Sequence, residues 1–176
     1  MIGKAMCVAA IVCISMSQDV FGQDRRAVPA SLDDEDHAIV FEIGAAADWD
    51  PQEGPVHTGG TFAFEVTPIE HWLELEIGVT AIAAGGGVVE MPIDVLFKKP
   101  WRLSPQFEFM VGVGPELVRV SGPERGTFWG VEGVLDFMFW PRKTVGWYVE
   151  PGYEVTFRDG ARHRGVGIAV GILIGR

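Results

Sequence analysis

The stretch HWLELEIGVTAIA, from His71 to Ala83, alternates between two kinds of side chain. Its odd-numbered positions from Leu73 to Ala81 are apolar, and the positions between them carry Glu, Gly and Thr. Successive side chains of a β-strand point to opposite faces, so this pattern predicts a strand with one apolar and one polar face. An apolar face that is turned inward would make a soluble sheet protein, whereas one that is turned outward would place the protein in a membrane.

The same alternation continues along the chain after His37, without a helical period, and predicts eight strands. They are Ala38 to Trp49, Thr58 to Ile69, Leu73 to Ala83, Val88 to Lys98, Gln106 to Leu117, Phe128 to Phe139, Val145 to Phe157, and His163 to Arg176. Most have 10 to 13 residues, which is long for a soluble sandwich and suits tilted strands that cross a bilayer with about 9–11 residues.

Acidic residues within these strands fall on the face opposite the large apolar residues, and this consistency supports both the strands and their registers. The thirteen carboxylates are Glu42, Asp48, Glu65, Glu74, Glu76, Glu90, Asp94, Glu108, Glu116, Glu132, Asp136, Glu150 and Glu154. The only Lys or Arg on that face is Lys98, at the predicted end of the fourth strand. The strands therefore offer these acids almost no basic partner.

Two features favour an apolar face that is turned outward. The polar face is rich in glycine and alanine, which make room for neighbours inside a narrow closed barrel. The six tryptophans lie near strand ends, with Trp49 and Trp129 at one end and Trp72, Trp101, Trp140 and Trp147 at the other. Aromatic girdles at both interfaces are typical of a membrane barrel. The prediction is an all-β, eight-stranded antiparallel up-and-down transmembrane β-barrel, with its first strand entering from the periplasm.

The first 22 residues have the features of an export signal: a basic start at Lys4, an apolar run, and a small-residue cleavage context. Both cysteines, Cys7 and Cys13, lie within it, so removal of residues 1–22 excludes disulfides, thiolate catalysis and cysteine metal sites. Residues 23–37 are predicted to form a flexible acidic leader, and residues 38–176 the barrel domain. The formal charge of −10 argues against nucleic acid as a partner.

The signal, the eight alternating strands, the turns KKPW and FWPRKTVGWYVEP, and the glycine-alternating last strand resemble the small eight-stranded outer-membrane β-barrels of Gram-negative bacteria. The resemblance covers Ala38 to Arg176 and is one of architecture. It implies a porin-like monomer in the outer membrane, surrounded by outer-membrane lipids and inserted by the barrel-assembly machinery, without a cofactor. The function that it implies is a structural or interaction role at the cell envelope.

Thirteen carboxylates in the narrow lumen of such a barrel cannot all remain ionised, so we expect them to titrate as coupled groups. Three interpretations are open: a hydrated plug in which carboxyl groups share protons and water, bound cations such as Ca²⁺ or Mg²⁺, or a cation-selective pore, which the small bore opposes. The sequence leaves the question of a metal open.

The alternative fold is a soluble periplasmic barrel in the manner of lipocalins, with the acids in water and an apolar ligand inside. Catalysis has little support. His71 lies in a predicted turn, while His57 and His163 each follow an aspartate in an outer loop, where such a pair could activate a water or a serine. Of the serines beyond the signal, only Ser121 lies on the predicted outer side. We expect no catalytic residues and no enzyme.

Overall fold

The computed structural model describes residues 39–51, 54–123 and 125–175, so the predicted signal peptide and leader lie outside the described residues. The described part forms eight strands: β1 (Ile39–Trp49), β2 (Val56–Ile69), β3 (Leu73–Gly85), β4 (Val88–Ser104), β5 (Phe107–Ser121), β6 (Gly126–Phe139), β7 (Val145–Arg158) and β8 (Ala161–Gly175). Each strand pairs antiparallel with the next, and β8 pairs with β1, which closes the barrel. The predicted eight-stranded antiparallel barrel is confirmed. A search of the described residues for a helix of membrane-spanning length and hydropathy finds none.

We name the two ends of the barrel by where the first strand starts and the last strand ends. The terminal end carries the start of β1, the end of β8 and the turns after β2, β4 and β6, and the distal end carries the other connections. The connections at the distal end are short. Gly86 and Gly87 join β3 to β4 with φ angles of 58° and 79°, the positive values that the favoured two-residue hairpin turns require.

Exposure alternates along every strand, and the exposed side is the apolar one. In β1, Phe41 and Ile43 are exposed, whereas Val40, before Phe41, and Glu42, between the two, are buried. The same holds around the whole barrel, with one example per strand in Phe41, Phe62, Ile77, Phe97, Val113, Val131, Trp147 and Ile172. The lipocalin-like alternative requires the reverse arrangement, an apolar interior and acids in water, so the burial pattern overturns it.

Aromatic rings cover the outer surface of β4 to β7 near the terminal end. Trp101 stacks on Phe109 with ring centroids 5.7 Å apart, and Phe139 stacks on Trp147 at 4.1 Å. The predicted interface aromatics Trp49, Trp72, Trp101, Trp129 and Trp147 are all exposed.

The prediction that Trp140, the sixth tryptophan, lies at the membrane interface is wrong. It is only 8% exposed and packs inside the barrel against a cluster of buried apolar residues. The reason is its parity, because Trp140 continues the inward-facing series of Asp136 and Met138 in β6.

The fourth strand is longer than predicted, and this moves Lys98. The sequence predicts a turn at KKPW, but β4 runs through this segment to Ser104. Lys98 therefore lies well inside the strand, and the prediction of a strand end there is wrong. Beyond the pair between Lys98 and Glu74, β4 pairs only with β5. Pro100 is tolerated because one side of the strand has no partner at that point.

Candidate functional site

The thirteen strand carboxylates all lie on the inward side of the wall, and none is exposed. Nine of them line a cavity of about 320 Å³ in the distal half of the lumen: Glu42, Asp48, Glu76, Glu90, Asp94, Glu116, Glu132, Glu150 and Glu154. Three line a cavity of about 10 Å³ at the terminal end: Glu65, Glu74 and Glu108. The remaining one, Asp136, is bound to Lys98.

Lys98 is the centre of the lumen. Its side chain is fully buried, and its Nζ donates hydrogen bonds to Glu76, to Asp136 Oδ2 at 2.9 Å and to Glu150 Oε2 at 2.7 Å. A fourth carboxylate, Glu65 from β2, lies 3.8 Å away. Strands β2, β3, β6 and β7 each supply one of these acids. A buried ammonium is tolerated when charged hydrogen bonds replace its lost water, which is the arrangement here.

The carboxylates beside Lys98 converge closely. Glu42, Glu65, Glu76 and Asp136 are all buried, and each offers an oxygen within 4.8 Å of those of the others. Such a set of oxygens suits a hard cation. The chain supplies that cation itself, because Lys98 contacts three of the four acids. Lys98, the one basic residue that the sequence predicts on this face, is therefore the shared partner of several acids at this level of the barrel.

Packed side chains fill the terminal half of the lumen below Lys98. The cluster consists of Val40, Met110, Met138, Trp140, Tyr148 and Leu173, of which Met110 and Leu173 are completely buried. Arg102, which was not among the predicted lumen residues, lines the small cavity there. An eight-stranded barrel is just wide enough for side chains to fill its interior, and this half of the lumen is filled in that way.

Four acids on consecutive strands, Asp94, Glu116, Glu132 and Glu154, form what we call the distal arc. Asp94 and Glu116 are register partners across β4 and β5, and Glu132 and Glu154 are partners across β6 and β7. Each carboxylate lies over a glycine of a neighbouring strand, and a Cβ on that glycine would come within 2.9 Å of it. The glycines are Gly78, Gly130, Gly152 and Gly165. Their lack of a side chain makes room for the acids.

Glu116 is the least satisfied member of the distal arc. It is 1% exposed, and no N–H group of the described residues donates to either of its carboxylate oxygens; its side-chain contact is with the carboxyl group of Glu154. Asp94 is 7% exposed, and its Oδ1 also accepts no hydrogen bond from the described residues. Buried polar atoms in proteins almost always have a partner, so these oxygens require a hydrogen-bond donor, which water, a proton shared with a neighbouring carboxyl group or a bound cation supplies.

The distal rim carries the remaining basic residues of the lumen. His57, Arg158, His163 and Arg164 line the mouth of the large cavity. The Arg158 guanidinium lies 4.8 Å from the centre of the Phe128 ring. His57 faces Asp48 across β1 and β2. Ser121 faces outward, and its Oγ donates a hydrogen bond to the carbonyl oxygen of Val89 at 3.1 Å. The predicted candidate histidine His57 and Ser121 are thus on opposite sides of the wall.

Comparison with solved structures decides the fold family. Neisserial surface protein A matches with a TM-score of 0.63 at 10% identity over 78% of this chain and 96% of that one. The protein has the fold of the small eight-stranded outer-membrane β-barrels. The outer membrane protein OprG from Pseudomonas aeruginosa matches with a TM-score of 0.59 at 10% identity, over 77% of this chain and 94% of that one. A de novo designed transmembrane β-barrel matches with a TM-score of 0.54 at 11% identity, over 81% of this chain and 98% of that one.

At the level of sequence, no family model and no curated protein matches the chain. Identities of 10 to 11% with the solved barrels establish the shared architecture, and function has to be argued from the site itself.

Proposed function

We propose that this chain is a monomeric outer-membrane barrel with a structural or interaction role at the cell envelope, no catalytic chemistry of its own, and a lumen whose carboxylates hold cations. The observation that carries the proposal is the belt of exposed apolar side chains on all eight strands around a lumen of buried acids. Such a surface is stable in contact with lipid and unstable in water. The terminal end would then face the periplasm and the distal end the outside.

The filled terminal half of the lumen supports a binding role over conduction. Met110, Met138 and Leu173 lie between Lys98 and the terminal end and are almost completely buried. A path for ions would have to pass both this apolar plug and the Lys98 cluster. In a planar lipid bilayer we expect the purified barrel to show no steady channel current, and a stable cation-selective conductance would contradict the closed lumen.

The arrangement of polar residues supports a role without catalysis. A nucleophile needs a base within hydrogen-bond reach, but Ser121 and His57 lie on opposite sides of the barrel wall. The acids near Lys98 are occupied by its ammonium group.

Fractionation with a gel assay tests the proposal. The full chain is expressed in a Gram-negative host, and the outer-membrane, inner-membrane and soluble fractions are run on a detergent gel with and without boiling. Recovery in the outer membrane, with a change of mobility on boiling, is the expected result because a closed barrel resists detergent until it is heated. Recovery as a soluble periplasmic protein would overturn the proposal.

A further inference from the structure

The distal cavity has the size of a small-molecule site. Its volume of about 320 Å³ is at the lower end of the range of about 300–1,000 Å³ that is typical of ligand pockets. It opens at the distal rim, where residues such as Pro55 and Val88 line it, and it reaches down to Glu76 beside Lys98. A single metal ion would leave most of this space unfilled.

The charge of the cavity selects a cation. Ten of its lining residues are acidic, against two arginines and two histidines. Only Glu76 and Glu150 among these acids are hydrogen-bonded to Lys98. The oxygens of Glu116 and Asp94 that accept from no N–H group lie deeper than the basic rim, and Glu116 has only the Glu154 carboxyl group beside it. A ligand that carries N–H donors and positive charge would satisfy them.

The spacing of the acids favours an extended cation over a metal ion. A bound Ca²⁺ or Mg²⁺ needs several oxygens gathered around one point. Among the described residues, the one group of three or more that converges in this way is the set around Lys98, which includes no member of the distal arc. The acids of the distal arc are instead spread around the wall over four consecutive strands, and Glu90 lies further toward the distal rim.

The walls between these acids suit a hydrocarbon chain. On β4, Asp94 and Glu90 share the inward face and are four residues apart, which corresponds to ~13 Å at about 3.3 Å per residue. Their register partners on β5 are Glu116 and Val120. The inward apolar side chains Ile82, Val118 and Val120 line the cavity and are buried.

From these observations we propose that the distal cavity binds a linear aliphatic polyamine, with one ammonium at Glu116 and Asp94, methylene groups along Val118 and Val120, and an outer ammonium near Glu90. The inference rests on the proposed function, because the barrel has to present its distal mouth to the outside for such a ligand to enter. It deepens that function by naming the class of cation. Lys98 sets the floor of the site, and the rim histidines and arginines keep the entrance less acidic than the interior.

The test is calorimetric titration of the folded full-chain barrel in detergent with spermidine, compared with n-butylamine and CaCl₂ at matched ionic strength. We expect saturable binding of spermidine and at least about tenfold weaker binding of n-butylamine, because n-butylamine has only one of the three ammonium groups of spermidine and cannot contact both ends of the site. Binding of CaCl₂ as tight as that of spermidine, or no binding of spermidine, would overturn the inference.

Two variants locate the site, and a third is the matched control. Glu116→Gln and Asp94→Asn should each weaken spermidine binding about tenfold. Glu108→Gln removes an acid of the small terminal cavity and should leave spermidine affinity unchanged. Equal effects of Glu116→Gln and Glu108→Gln would mean nonspecific attraction and would overturn the site.

The mobility shift on boiling is measured for every variant, which separates this inference from the proposed function. Suppose that the barrel fractionates with the outer membrane and shifts on boiling but does not bind spermidine. That result contradicts the inference and does not contradict the proposed function. A soluble protein contradicts the proposed function whatever it binds.

Discussion

Lys98 of β4 and Asp136 of β6 are joined across the lumen by a hydrogen bond of 2.9 Å between Nζ and Oδ2, although both side chains are completely buried. The two strands are not neighbours, since β5 lies between them. The contact therefore ties together parts of the wall that the sheet hydrogen bonds do not join directly. Glu150 of β7 extends the same tie to a third part of the barrel.

Lys98→Gln should strongly destabilise the barrel, because it leaves Glu76, Asp136 and Glu150 buried without their common donor. Removal of one partner from a buried ion pair costs about 3–5 kcal/mol. The measurement is the free energy of unfolding in urea, with the protein in lipid vesicles and tryptophan fluorescence as the signal. The matched control is Lys99→Gln, the adjacent lysine, whose Nζ donates to the carbonyl oxygen of His71 in an exposed setting. That change should cost no more than about 1 kcal/mol, and equal losses in the two variants would refute the central role of Lys98.

Lys98→Ala should convert the acids around it into a site for a divalent cation. Without the ammonium, the oxygens of Glu42, Glu65, Glu76 and Asp136 still lie within 4.8 Å of one another, which suits Ca²⁺. We expect CaCl₂ to raise the unfolding free energy of this variant by ~2.7 kcal/mol at a hundredfold excess over its Kd, and EDTA to reverse the effect. The natural protein and Lys99→Ala should not respond. A calcium response of the natural protein as large as that of Lys98→Ala would mean that Lys98 does not take the place of a metal ion.

Gly114→Ala should disturb the barrel, whereas Gly133→Ala should not. A Cβ at Gly114 would lie 1.8 Å from the backbone oxygen of Val95, which cannot move as a flexible side chain can. Overpacking of this kind costs about 1–3 kcal/mol or more. At Gly133 the nearest atom to a Cβ is the backbone oxygen of Gly112 at 3.8 Å, an ordinary contact. The yield of the heat-shifted form on a gel compares the two variants, and full assembly of Gly114→Ala would show that this approach of the strands is looser than described.

The strand pattern could be predicted from the sequence because a period of two is local and survives in the fold. All thirteen acids lie on the inward face where their parity places them, and five of the six tryptophans are exposed as predicted. Parity also placed Lys98 on the inward face, but its position along the strand could not be predicted in this way. The proline in KKPW indicates a turn when only one strand is considered, and it is tolerated because β4 pairs with β5 alone beyond Lys98.

The contacts across the lumen could not be predicted from the sequence either. Which acids meet the Lys98 ammonium depends on the tilt and stagger of strands from four places in the chain, and alternation within a strand contains no information on either. The match between the distal acids and their facing glycines depends on register in the same way. Trp140 is a simpler case, because its position near a strand end suggested an interface, whereas its parity with Asp136 and Met138 indicates the interior.

The most direct test of the outward apolar face compares one substitution at two depths. Val131 is 47% exposed near the middle of β6, and Val56 is 63% exposed at the distal start of β2. An arginine on the lipid face lowers the folding stability of a membrane barrel by about 2–4 kcal/mol at the bilayer midplane and by about 0–1 kcal/mol near the interface. In assembly assays with lipid vesicles we therefore predict that Val131→Arg loses most of its folded, heat-shifted form, while Val56→Arg assembles like the natural protein. Equal assembly of the two variants would contradict a lipid-facing barrel.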